Sequence, residues 1–169
     1  EALGVEWVDM KPQEGNSVMR WTRPAGNGQG LTQTLIDSFK SKGGKIITNT
    51  EIFDITAKNG RVVGFTGRTT GSNEEVIVKS KAVVATTGGF NSNLDMVLDV
   101  RPELKNFKVM EGSGRGSTGD GHNMVSRVGG YLTHMDHVWF YCYATPDYLD
   151  QQGKRGLVCR HIPGYVWVN

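Results

Sequence analysis

The run Ala82-Val83-Val84-Ala85-Thr86-Thr87-Gly88-Gly89-Phe90-Asn91 constrains the fold of this chain more than any other stretch. Its first residues are apolar without polar alternation. A strand of that pattern is buried on both faces, as in a parallel sheet. It then breaks at a glycine pair, where another group can approach the backbone closely. Ligands of open α/β sheets bind at such carboxyl ends of strands. Glycine is abundant in the whole chain, with 23 among 169 residues, about twice the ~7 % of an average protein. These glycines show no collagen period and gather in short clusters between apolar segments.

The surrounding pattern alternates strands with helices. Gly26-Asn27-Gly28-Gln29-Gly30 opens a helix in which Leu31, Leu35, Ile36 and Phe39 share one face, and Gly43-Gly44 ends it. Lys45–Thr48 reads as a short strand. Ile52–Lys58, the Asn59-Gly60 turn, Arg61–Arg68 and Glu75–Lys79 read as a three-stranded antiparallel meander. A short helix is expected over Asn93–Val100, before Pro102. The glycine-dense stretch 111–121 leads into a second clear helix, with Met124, Val125 and Val128 on one face and Gly129-Gly130 at its end. Residues 1–30 read as irregular, and Val138–Tyr143 is an aromatic run. The pattern reads as an α/β or α+β domain.

Charge and composition exclude several functions. The net charge is +2, which gives no electrostatic footprint for nucleic acid or a membrane surface. No apolar run reaches the ~18 residues of a membrane-spanning helix. Cys142 and Cys159 are too few for a disulfide framework or a four-thiolate zinc site; a single bridge and two free thiols both stay open. His134 and His137 lie in a stretch that reads as extended, which puts them on opposite faces, so no metal site is expected. The chain opens at Glu1 without methionine and closes inside the apolar run Tyr165–Val168, so it reads as an internal piece of a longer protein.

Three glycine motifs compete as ligand loops. In Gly26–Gly30 the third glycine of a dinucleotide fingerprint is replaced by Leu31, and Pro24 precedes it, so this loop is expected only to orient its helix. The Thr86-Thr87-Gly88-Gly89 strand end is the second. The third is Ser117–Gly121, where Thr118 or Asp120 is expected to cap the helix and free amides face a polar or anionic group.

Taken in order, Val83–Phe90, Thr118-Gly119-Asp120-Gly121-His122-Asn123-Met124, Gly129-Gly130 and Met135-Asp136 resemble the flavoprotein family of fumarate reductases, succinate dehydrogenases and 3-ketosteroid dehydrogenases. The resemblance covers roughly residues 20–169. It implies part of a Rossmann-like FAD-binding domain over 1–140, carrying the meander, and the start of a substrate-capping domain over 141–169. FAD is the implied cofactor. The resemblance places Ile52 where a backbone group meets the adenine, Thr86, Thr87, Gly88 and Gly89 against the cofactor, and Thr118, Gly119, Asp120 and Gly121 near the flavin end. The family's own G-x-G-x-x-G and its proton-donating Arg would lie outside this chain, so the piece is expected to be inactive alone.

The substrate side departs from the fumarate reductases. Their carboxylate-binding His falls here at Tyr141, inside Trp139–Tyr143, and their Thr-Glu pair falls near Leu157-Val158. A carboxylate pocket needs cationic and hydrogen-bonding groups, so aromatic residues favour a larger or less charged small molecule. Trp139, Tyr141, Tyr143, Arg160 and His161 are the substrate-side candidates, and the stretch looks closer to the ketosteroid dehydrogenase branch. The expected function is hydride transfer between FAD and a carbon–carbon bond beside a carbonyl or carboxylate. A fumarate reductase with an altered carboxylate site is the alternative, and a non-catalytic binding module is the rival from another class. Unpaired sheet edges make self-association or instability of the isolated piece an expectation.

Overall fold

The computed structural model describes residues 3–11, 17–111, 114–140 and 143–158. The chain divides into two compact units, Glu1–Asn49 and Thr50–Asn169.

In the first unit, β1 (Trp7–Lys11) pairs antiparallel with β2 (Trp21–Pro24), and α1 spans Asn27–Ser41. This corrects the expectation of an irregular start. Asp9 and Arg23 face each other in register and form an ion pair at 2.5 Å, a cross-strand contact that favours the pairing. Pro24 sits at the end of its strand, where a missing N–H costs no ladder bond. Helix α1 stops as expected: Gly44 N–H donates to Phe39 O and Gly43 N–H to Lys40 O, the paired bonds of a Schellman ending.

In the second unit, β3 (Thr50–Lys58), β4 (Arg61–Thr69) and β5 (Glu75–Lys79) form the expected meander in the order β3-β4-β5. Asn59 and Gly60 have φ of 52° and 73°, as a type I′ hairpin turn requires. Register shifts at Ile52/Asp54 and Thr56/Ala57 mark bulges in the β3–β4 ladder. Helix α2 (Leu94–Val100), a 3₁₀ turn (Pro102–Asn106) and α3 (Asp120–Arg127) follow, then β6 (Tyr143–Pro146) paired antiparallel with β7 (Gly156–Val158). The core of this unit is small: Ile55 from β3, Phe90, Val97 from α2 and Met124 from α3 are buried.

Two expected strands do not form ladders. Residues 82–86 and 45–48 carry no strand pairing among the described residues. Val84 is 83 % exposed. An apolar run becomes a doubly buried strand only when neighbouring strands and covering layers are there to pair with it, and the described residues supply none.

Candidate functional site

The two glycine blocks, about 30 residues apart in sequence, meet in space through backbone bonds. Gly119 N–H donates to Gly89 O (3.2 Å), and Ser92 N–H donates to Ser117 O (2.9 Å). Asn93 fastens the junction twice. Its Oδ1 accepts from Met96 N–H, capping α2, while its Nδ2 donates to Thr118 O, both at 3.1 Å. The Ser92 hydroxyl donates to Gly114 O at 2.9 Å. No sequence motif marks Ser92 or Met96 as site residues, and Asn93 carries only the signal of an Asn immediately before an apolar helix.

Glycine is sterically required at this junction. Gly119 has φ of 84°, and a Cβ there would meet Met96 Sδ at 2.4 Å and Phe90 Cβ at 3.0 Å. Gly121 packs directly on Thr87. On the inner side Phe90 is buried and its ring meets the edge of His122 at 5.3 Å between centroids. On the outer side Thr86, Thr87, Gly88 and Gly89 are exposed, and nothing lies within 4 Å of a Cβ built on Gly88.

The start of α3 differs from expectation. Its N-cap is Gly119, in the left-handed region, and no side chain caps it. Thr118 Oγ1 instead donates to Asp120 Oδ2 at 2.8 Å. The amides of the first turn thus have no side-chain acceptor; Asp120 is exposed, whereas Gly121 is buried against Thr87. The Asp120 carboxylate would repel a further anion, whereas hydroxyl and ring-amide groups could bond to both the amides and the carboxylate. The junction therefore fits a polar, uncharged stretch of a cofactor.

Ile52 lies on β3 opposite Gly67, and its Cδ1 covers that glycine. Beside it, Arg127 at the far end of α3 donates to Phe53 O at 2.8 Å and reaches Asp54 at 3.4 Å. One end of α3 is thus bonded to the Thr86–Gly89 loop and the other to β3, a separation of ~12 Å for eight residues.

On the substrate side, Trp139 is 70 % exposed. The Arg101 guanidinium lies 5.4 Å over the Phe140 ring and donates to Asp136 O at 3.2 Å. Tyr143 pairs with Val158 across the β6–β7 ladder. Tyr141, Arg160, His161, Cys142 and Cys159 lie outside the described residues. His134 and His137 correct the expectation of opposite faces. His137 N–H donates to His134 O at 3.0 Å in a turn, and the two rings sit 5.0 Å apart. The left-handed φ of 55° at His134 makes that turn, and strand alternation does not apply across it.

Residues 5–169 match the family described as "FAD binding domain". The chain belongs to this family. It is 33 % identical over 145 residues to a urocanate reductase of Eggerthella lenta, covering 82 % of this chain and 23 % of that protein. It is 30 % identical over 142 residues to a fumarate reductase (cytochrome) of Shewanella frigidimarina, covering 81 % and 23 %. Its fold matches the open conformation of a flavocytochrome c3 fumarate reductase with a TM-score of 0.62, at 27 % identity over 76 % of this chain and 23 % of that one. Mycobacterium smegmatis Sdh1 shares the fold at a TM-score of 0.55 and 19 % identity. The chain spans about a quarter of the length of these relatives. The family's cofactor is FAD and its relatives are flavoprotein oxidoreductases of the fumarate reductase type. They do not single out the ketosteroid branch that the Trp139 stretch suggested.

Proposed function

We propose that this chain is the central part of a flavoprotein reductase acting on a carbon–carbon double bond conjugated to a carboxylate or carbonyl group. The observation that carries this reading is the junction of Gly119 with Gly89, which sets an exposed backbone strip against an uncapped helix start. When bound, FAD supplies the hydride, and the protein supplies position and electrostatics. Thr86–Gly89 admit the cofactor close to the backbone. The first-turn amides of α3, with Thr118 and Asp120, hold its hydroxyl and ring-amide groups. Gly121 lets α3 approach Thr87, and Ile52 serves the adenine end through its backbone. Residues from 141 onward begin the substrate-capping part.

The substrate proposed is an unsaturated acid bearing a flat group. The relatives' names, urocanate and fumarate reductase, support the unsaturated acid. The exposed Trp139 beside Phe140 and Tyr141 supports the flat group. Trp139, Tyr141, Tyr143, Arg160 and His161 are the residues proposed to face it.

The test is the visible spectrum of the full-length protein, followed by turnover with a reduced viologen and fumarate, urocanate or a 3-ketosteroid. An oxidised-flavin spectrum and oxidation of the viologen by an unsaturated acid are expected. A folded protein that takes up no FAD would overturn the reading in favour of a binding module. Turnover of the steroid alone would move the substrate to the ketosteroid branch.

A further inference from the structure

The flavin reading makes no use of the histidines of the turn at His134–His137. Both imidazoles are exposed, and their rings are 5.0 Å apart and tilted by 55°. No ring nitrogen of either has a hydrogen-bond partner among the described residues. The backbone holds the pair in place. His137 N–H donates to His134 O (3.0 Å), Val138 N–H donates to Asp136 O (2.9 Å), and Arg101 also donates to Asp136 O (3.2 Å). Arg101 is in turn ion-paired with Glu103, so its charge is matched beside the turn.

We propose that His134 and His137 together chelate a divalent first-row transition metal. Neutral imidazole is a good ligand for Cu²⁺, Ni²⁺ and Zn²⁺. With metal–nitrogen bonds of about 2.0–2.1 Å, each ring centre stands about 3.2 Å from the ion, so an angle near 100° separates the centres by about 5 Å. That is the separation found. The hydrogen-bonded turn fixes the two backbones before binding, so little conformational freedom is lost when the ion arrives. Among the described residues no third His, Cys, Asp or Glu completes a set, so water fills the other positions and the ion stays accessible. Cu²⁺ binds most tightly, in the order set by ligand-field preference.

The inference is independent of the flavin. Calorimetric titration of the purified full-length protein with CuCl₂, NiCl₂ and ZnCl₂ tests it, alongside the variants His134→Gln and His137→Gln. Both side chains are exposed, and far-UV circular dichroism verifies that the variants fold. One ion per chain is expected at this turn, bound roughly ten-fold or more weakly in each single variant, since either loss leaves a single imidazole. Paramagnetic broadening by Cu²⁺ should centre on residues 131–140. Wild-type protein that binds no ion, binding that neither substitution weakens, or binding that only one of them weakens would each overturn the chelate.

Discussion

A β-carbon built on Gly121 would lie 1.7 Å from Oγ1 of Thr87 and 2.8 Å from its Cβ. The side-chain oxygen can rotate away, but the Cβ moves only with the backbone. Gly121→Ala therefore has to push α3 off the Thr86–Gly89 loop. Overpacking of this kind costs about 1–3 kcal/mol. Chemical denaturation should show that loss, together with weakened FAD retention. Removing the opposing atoms with Thr87→Gly in the same chain should restore part of both. Strictly additive losses in the double variant would mean the two residues do not press on each other.

Gly88→Ala separates cofactor contact from folding. Gly88 has φ of 78° with open space where its Cβ would point. The fold should lose only the left-handed penalty of about 1–2 kcal/mol. If the open side is where FAD lies, flavin affinity should fall by far more than stability does. Unchanged flavin affinity in a folded variant would remove Gly88 from the cofactor site.

Asn93 joins two jobs that substitution can split. Asn93→Asp keeps the oxygen that accepts from Met96 N–H but removes the donor to Thr118 O. Asn93→Ala removes both. The cap is worth about 1 kcal/mol, so Ala should unfold at lower denaturant than Asp. Both should loosen residues 117–119, read as faster amide exchange at Gly119.

The loop after β6 should be acid-sensitive. The N–H of Arg155, with those of Lys154 and Gln152, bonds the Asp150 carboxylate and holds it below the usual carboxylate range. Its folded pKa is thus lower than its unfolded one. The stabilisation is complete above the ordinary carboxylate pKa and is lost as pH falls through the lowered folded value. Amide protection of Lys154 and Arg155 should hold at neutral pH and collapse in that acid range. Asp150→Ala should remove it at all pH values.

Much of the architecture was legible where the deciding interactions are local. The Asn59-Gly60 turn, the spacing of Leu31, Leu35, Ile36 and Phe39, and the Gly43-Gly44 ending each depend on neighbouring residues, and each appears as expected. Local pattern misled where the partner is distant. The pairing of β1 with β2 spans an intervening segment, and alternation around Trp7 is weak. Val84 looks like a buried strand residue because nothing in its own sequence reports whether a neighbouring strand exists. The left-handed backbone at His134 has no mark beyond the residue's mild tolerance for it. At the site, family resemblance implies only that Thr86–Gly89 and Thr118–Gly121 each face the cofactor; their spacing in sequence does not reveal that Gly119 bonds Gly89.

The long sequence separation of that Gly119–Gly89 bond sets an order in time. The meander closes through short turns, whereas the junction must first draw together residues about 30 positions apart, and closing longer loops costs more chain entropy. Pulse-labelled amide exchange should find β3, β4 and β5 protected before Gly119. If Gly119 is indeed protected last, excess FAD added before that point should find the sheet formed but no assembled cradle to bind.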